Sequence, residues 1–125
     1  MESLSPNMYV HDVKSTIEFY RNLGFKPVMT VPEDDEAPVW AMLQNGNVTL
    51  MIESFKNIEG RLPEISRQPG GSFLLYINIK GIRAFFEEIK DNVTVLSGLE
   101  KTFYGATEFV IKDSNGYVLT FAEHE

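Results

Sequence analysis

The chain has 125 residues, 43% of them hydrophobic and 23% charged, the make-up of an ordinary soluble globular domain with a core of its own. Eleven Lys and Arg against 18 Asp and Glu leave a net charge of −7, which makes nucleic acid and anionic membrane poor partners and mildly favours a cationic guest. No cysteine is present, so disulfides, thiolate nucleophiles and cysteine-based metal sites are excluded; without a run near the ~20 apolar residues of a membrane span, or a signal-peptide pattern at the start, a cytoplasmic protein is expected.

Residues 4–10 read as a strand. Residues 12–25 read as a helix, with Val13, Thr16, Ile17 and Tyr20 on one face, Asp12 able to cap the start and Gly24 suited to the position just past the end. Strands follow at 26–31, 39–44 and 48–54, the last two joined by Asn45-Gly46, a hairpin dipeptide. Residues 55–71, with Pro, Gly and many charges, read as a long connector able to hinge or to let copies pair between chains. A strand at 72–79 leads to a second helix over 80–91, where Ile82, Phe85, Phe86 and Ile89 recur at helical spacing. A weaker strand at 93–104 and strands at 106–113 and 117–123, the last two flanking Asn115-Gly116, complete the chain.

Strand, helix and three strands therefore occur twice, and the copies stand in register at an offset of 69 residues. Val10 matches Ile79, Val13 matches Ile82, Ile17 matches Phe86, Tyr20 matches Ile89 and Leu50 matches Leu119. The prediction is an α+β fold of two βαβββ modules, about 1–57 and 70–125, joined by the connector. A module of about 55 residues buries too little surface to stand alone, so the two form a single domain.

Alternation along the strands sorts side chains onto two faces. Met8, Val10, Val48, Leu50, Ile52, Phe73, Leu75, Ile77, Ile79, Leu119 and Phe121 make an apolar face for the helices. The opposite parity holds Ser5, Asn7 and Tyr9, then Thr49, Met51 and Glu53, then Leu74, Tyr76 and Asn78, then Val118, Thr120 and Ala122. Aromatic, apolar and hydrogen-bonding groups mix there as they do in a ligand cleft. Trp40 and its repeat mate Phe109 add aromatic walls, so the candidate ligand-binding residues are Asn7, Tyr9, Trp40, Met51, Glu53, Tyr76, Asn78, Phe109 and Thr120. The competing reading is a packing face against another subunit or the other module, in which Asn7, Asn78 and Glu53 would need polar partners and Trp40 would be a core or interface anchor.

Other chemistry finds little support. His11 reads as a surface residue at a strand-to-helix junction, His124 sits in a tail expected to fray, and Glu33–Glu36 reads as a solvated acidic hairpin tip. No nucleophile elbow, P-loop or dinucleotide fingerprint is present, and the Gly-rich segment at 68–73 lacks the lysine and following helix of a phosphate cradle.

The stretches YVHDVKSTIEFYRNLGF (9–25), NGNVTLMIE (45–53) and FVIKDSNGYVLTFAE (109–123) together resemble the glyoxalase, bleomycin resistance and extradiol dioxygenase superfamily, across nearly the whole chain. The resemblance implies two βαβββ modules around a U-shaped cleft, commonly in a homodimer. In metal-dependent members it also implies ligands on the first and last strand of each module, here at Ser5, Met51, Leu74 and Thr120. None of these is a good donor for a divalent ion. The expectation is a protein without metal or other cofactor that sequesters a small organic molecule, aromatic or cationic, in the manner of bleomycin-resistance proteins. The alternatives are a metal-dependent lyase, isomerase or dioxygenase with displaced ligands such as Glu53 with His11 or His124 of a partner chain, and an interaction module whose cleft has closed.

Overall fold

In the computed structural model, which describes residues 1–33 and 37–125, the chain divides into two units, Met1–Pro69 and Gly70–Glu125. Asp34, Asp35 and Glu36 of the expected acidic tip lie outside the described residues.

The first unit runs β1 (Asn7–Val10), α1 (Val13–Arg21), β2 (Lys26–Val31), β3 (Trp40–Asn45) and β4 (Val48–Ser54). Its sheet order is β1-β4-β3-β2, with β1 parallel to β4 and the other pairs antiparallel. The parallel pair requires a crossover, which α1 and the β2–β3 hairpin supply. Asp12 caps α1 through the Ser15 amide at 3.2 Å. Past its end Gly24 takes φ +93°, a backbone angle that favours glycine, and a Cβ there would also push aside the Asn45 side-chain Nδ2, 2.9 Å away. Val13, Ile17 and Tyr20 of α1 are buried with Met8, Val10, Ala41, Leu43, Leu50 and Ile52, the strand residues of the helix-facing parity.

The second unit repeats the order with β5 (Leu74–Asn78), α2 (Ile82–Ile89), β6 (Thr94–Lys101), β7 (Ala106–Lys112) and β8 (Val118–His124), in a sheet ordered β5-β8-β7-β6. Phe85 and Phe86 of α2 pack on Phe109 and Phe121, with ring centroids 4.9–6.1 Å apart. The first turn of α2 has no cap from its own sequence. Glu123 at the end of β8 reaches back instead, accepting from the amides of Ile82 at 3.1 Å and Gly81 at 3.2 Å. Those bonds hold the Glu123 carboxyl below its ordinary value.

Phe73 departs from its expected place. It precedes β5, is 51% exposed and lies against Tyr117 rather than under α2, because the strand begins only at Leu74. The connector is more structured than its composition suggests: Phe55–Ile58 form a 3₁₀ turn with Ile58 buried. The Arg67 guanidinium donates to the carbonyls of Leu62 and Ile65, both at 2.9 Å, of Ile58 at 3.2 Å, and of Arg61.

The two hairpins differ by one residue, and this alters one sheet face. Asn45 pairs with Val48 across the two-residue loop Gly46-Asn47. In the second unit the Asp113 amide donates to the Tyr117 carbonyl at 2.8 Å, enclosing Ser114, Asn115 and Gly116 in a three-residue loop with Gly116 at φ +94°. Asp113 Oδ1 holds that loop through the amides of Asn115 and Tyr117, each at 2.8 Å. The 69-residue register therefore survives between β4 and β8 but slips by one between β3 and β7. Trp40 pairs with Glu53, yet Ala122, the mate of Glu53, pairs with Glu108. A one-residue slip turns every side chain to the opposite face.

Candidate functional site

On the first sheet, the face opposite α1 is organised in two rows across all four strands. Asn7, Met51, Met42 and Met29 form one row, and Tyr9, Glu53, Trp40 and Val31 the next. Met29 and Val31 are exposed at 56% and 47%, and the other six side chains are half-buried. Three thioethers beside an indole and a phenol make an adaptable apolar surface. Tyr9 stacks on Phe55 at 6.2 Å, which fixes its ring at one edge of the face.

The polar end of this surface is a short amide–carboxylate chain. Asn7 Nδ2 donates to Glu53 Oε1, and Asn57 Nδ2 to Glu53 Oε2, both at 2.8 Å. Glu53 thereby sets the orientation of the Asn7 amide, since a flipped amide would bring two acceptors together. The consequence is that Asn7 Oδ1 is buried with no hydrogen-bond partner among the described residues. Such an acceptor is costly unless something donates to it.

On the second sheet the corresponding face carries Tyr76 and Asn78 of β5, Thr120 and His124 of β8 and Glu108 of β7. The Tyr76 hydroxyl donates to Glu108 Oε2 at 2.5 Å and lies 3.2 Å from His124 Nε2. Tyr104, in the loop before β7, donates to the same carboxylate oxygen. The bonds to Glu108 raise both phenols above their ordinary value of 10.0, since a phenolate could neither donate nor sit beside the carboxylate without repulsion. Thr120 is 4% exposed, whereas Asn78 is exposed.

Of the sequence-nominated residues, Asn7, Tyr9, Trp40, Met51 and Glu53 share the first face, and Tyr76, Asn78 and Thr120 share the second. Phe109 is the correction. It is 1% exposed, pairs with Phe121 and stacks on it at 5.2 Å within the helix-facing core. The extra residue in the Asp113–Tyr117 turn is the reason, and it puts Glu108 where the repeat pointed to an aromatic. Sequence reasoning also missed Met29, Met42 and Tyr104, and considered His124 only as a tail residue or a displaced metal ligand. Parity from Trp40 along β3 would have found Met42, and the loop lengths would have found Glu108; nothing local marks Tyr104 or His124, which meet Glu108 only through strand pairing.

The four positions that would hold a divalent ion do not fit one. Leu74 has no donor, Met51 offers a soft thioether, and Ser5 and Thr120 carry neutral hydroxyls. Both Glu53 oxygens already accept from amides, and among the described residues no three His, Asp or Glu side chains converge. No helix is long and apolar enough to cross a membrane, among those same residues.

Comparison with known proteins follows the same lines. The family model for the Glyoxalase/Bleomycin resistance protein/Dioxygenase superfamily matches residues 4–121. A search of curated proteins found no match. Among solved structures, a protein of unknown function from Agrobacterium tumefaciens str. C58 is 25% identical, with TM-score 0.78 over 100% of this chain and 95% of that one. A glyoxalase/bleomycin resistance protein/dioxygenase family enzyme from Burkholderia phytofirmans PsJN is 19% identical, with TM-score 0.77 over 97% of each chain. A bleomycin-binding protein in complex with bleomycin is 22% identical, with TM-score 0.68 over the full length of both chains. The last two likenesses establish the fold.

Proposed function

The chain belongs to the glyoxalase/bleomycin resistance protein/dioxygenase superfamily, and from that membership we propose that it binds a small organic molecule on the face of the first sheet opposite α1. The observation that carries the proposal is the orphaned acceptor Asn7 Oδ1, oriented by Glu53 at the end of a half-exposed surface of Trp40, Tyr9, Met29, Met42 and Met51. An apolar wall with one oriented polar group is the usual construction of a small-molecule site. An aromatic guest stacks on Trp40 and packs against the thioethers, and its N–H or O–H donates to Asn7. Glu53 supplies the charge that favours a cationic substituent. The proposed binding involves no metal, in keeping with the donor chemistry at Ser5, Met51, Leu74 and Thr120.

A homodimer belongs to the same proposal. Each four-stranded sheet ends in two edge strands, β1 and β2 in one and β5 and β6 in the other, and a second copy is one way to cover them; sedimentation equilibrium reads the stoichiometry.

Trp40 is the one tryptophan of the chain, so its fluorescence reports this face alone. Titration with bleomycin and with ethidium, a flat aromatic cation, should give saturable quenching with at least one of them. EDTA-dialysed protein should bind equally well, and Trp40→Ala should abolish the binding heat. The proposal is refuted if neither compound gives a fluorescence change or calorimetric heat up to about 1 mM, where even weak specific sites fill.

A further inference from the structure

We infer that Asn45 is a site of spontaneous covalent modification: its side-chain amide converts to aspartate and isoaspartate, and in the folded chain this deamidation outpaces that of Asn115. Asn45 and Asn115 are the asparagines that glycine follows in the sequence. A glycine has no Cβ to hinder the approach of its amide nitrogen to the preceding side chain. In the reaction the Gly46 nitrogen gives up its proton and bonds to Asn45 Cγ, and the side-chain nitrogen leaves as ammonia. Water then opens the cyclic imide at one or the other carbonyl, giving aspartate or isoaspartate, with no change of oxidation state.

The fold treats the two pairs differently. Asn45, Gly46 and Asn47 are all exposed, and the Gly46 amide donates to no acceptor among the described residues, so the attacking nitrogen is unengaged. The Gly116 amide instead donates to the Asp113 carbonyl at 3.2 Å, and Asp113 Oδ1 holds the amides on either side of it, those of Asn115 and Tyr117, at 2.8 Å. Ring closure at Asn115 has to break this bonding first, which slows it by about tenfold. What Asn45 holds gives its conversion a consequence. Its Nδ2 donates to the Leu23 carbonyl at 3.3 Å, tying the end of β3 to the turn that follows α1. A carboxylate there has no proton to donate, sets oxygen against oxygen, and brings negative charge near a helix C-terminus, where it is unfavourable. The isoaspartyl form also adds a backbone carbon at the Asn45–Val48 turn, which fixes the register of β3 on β4.

Full-length protein kept folded in warm, slightly alkaline buffer made with oxygen-18 water, then digested and read by peptide mass spectrometry, tests the inference. The peptide holding Asn45 should exchange its amide nitrogen for labelled oxygen at least about tenfold faster than the peptide holding Asn115, with isoaspartate forming alongside aspartate. In concentrated urea the two rates should converge, because the difference belongs to the fold and not to the dipeptides. Asn45→Asp, which reproduces one of the two products, should have a lower urea midpoint than the unmodified chain. Conversion of Asn115 as fast as Asn45 in the folded protein, a rate ratio that urea leaves unchanged, a product without isoaspartate, or an unshifted midpoint in Asn45→Asp would each overturn the assignment.

Discussion

Replacing Phe109 by alanine removes a ring that is 1% exposed and packed against Phe85, Phe86 and Phe121. A Phe→Ala change at such a site costs about 3–5 kcal/mol, combining lost transfer energy with the cavity left between α2 and the sheet. The unfolding entropy of roughly 2.1 cal/mol/K per residue sums to about 260 cal/mol/K over 125 residues, so that loss lowers Tm by about 12–19 °C. Against a total stability of about 5–15 kcal/mol, the variant should stay folded at 25 °C with a much reduced urea midpoint. Trp40→Ala, at the position the repeat equates with Phe109, should cost only about 1 kcal/mol because the indole is half-exposed. Urea denaturation followed by far-ultraviolet circular dichroism measures both. If Phe109→Ala costs under about 1 kcal/mol and impairs ligand binding, the ring belongs to the open face, and the parity argued from the Asp113–Tyr117 loop is wrong.

Glu123→Gln should weaken the start of α2. The carboxylate's folded-state pKa lies below its ordinary 4.5, so its contribution is present above that value and lost as pH falls through the lower folded one. The urea-midpoint gap between wild type and variant should therefore hold above about pH 5 and close in more acidic solution; a gap that widens with acid would contradict the capping role. Tyr76 and Tyr104 should ionise late in an alkaline titration of phenolate absorbance, as two of the five tyrosines. Their raised pKa values mean a stabilising contribution that is whole below pH 10.0 and lost at higher pH, and Glu108→Gln should return both toward 10.0. Arg67→Ala should release the carbonyls of Ile58, Arg61, Leu62 and Ile65. Tryptic cleavage after Arg61 should then accelerate roughly tenfold while the global urea midpoint barely moves; an unchanged cleavage rate would mean the loop is held by other contacts.

Much of the fold was legible because it is encoded locally. The helical spacing of Val13, Ile17 and Tyr20, the Asp12 cap and the alternation of Leu50 and Ile52 each involve residues within a few positions of one another, where sterics and periodicity act directly. The first-sheet face was legible for the same reason, since Asn7, Tyr9, Met51 and Glu53 follow from parity on two strands. The orphaned Asn7 acceptor was not, because it depends on Glu53, 46 positions away.

The missed features share a cause. A single additional turn residue rotated β7 by one register step, exchanging Phe109 for Glu108, although Asn45-Gly46 and Asn115-Gly116 look alike as dipeptides. Glu123 caps a helix 41 residues earlier in the chain, and Tyr76, Glu108 and His124 meet across three strands. Periodicity and capping chemistry are short-range, so the residues alone settle which segments are helix or strand and which turn inward. Strand pairing is long-range and shifts whole faces with each inserted residue, so which polar groups converge on one carboxylate is settled only when the sheets have formed.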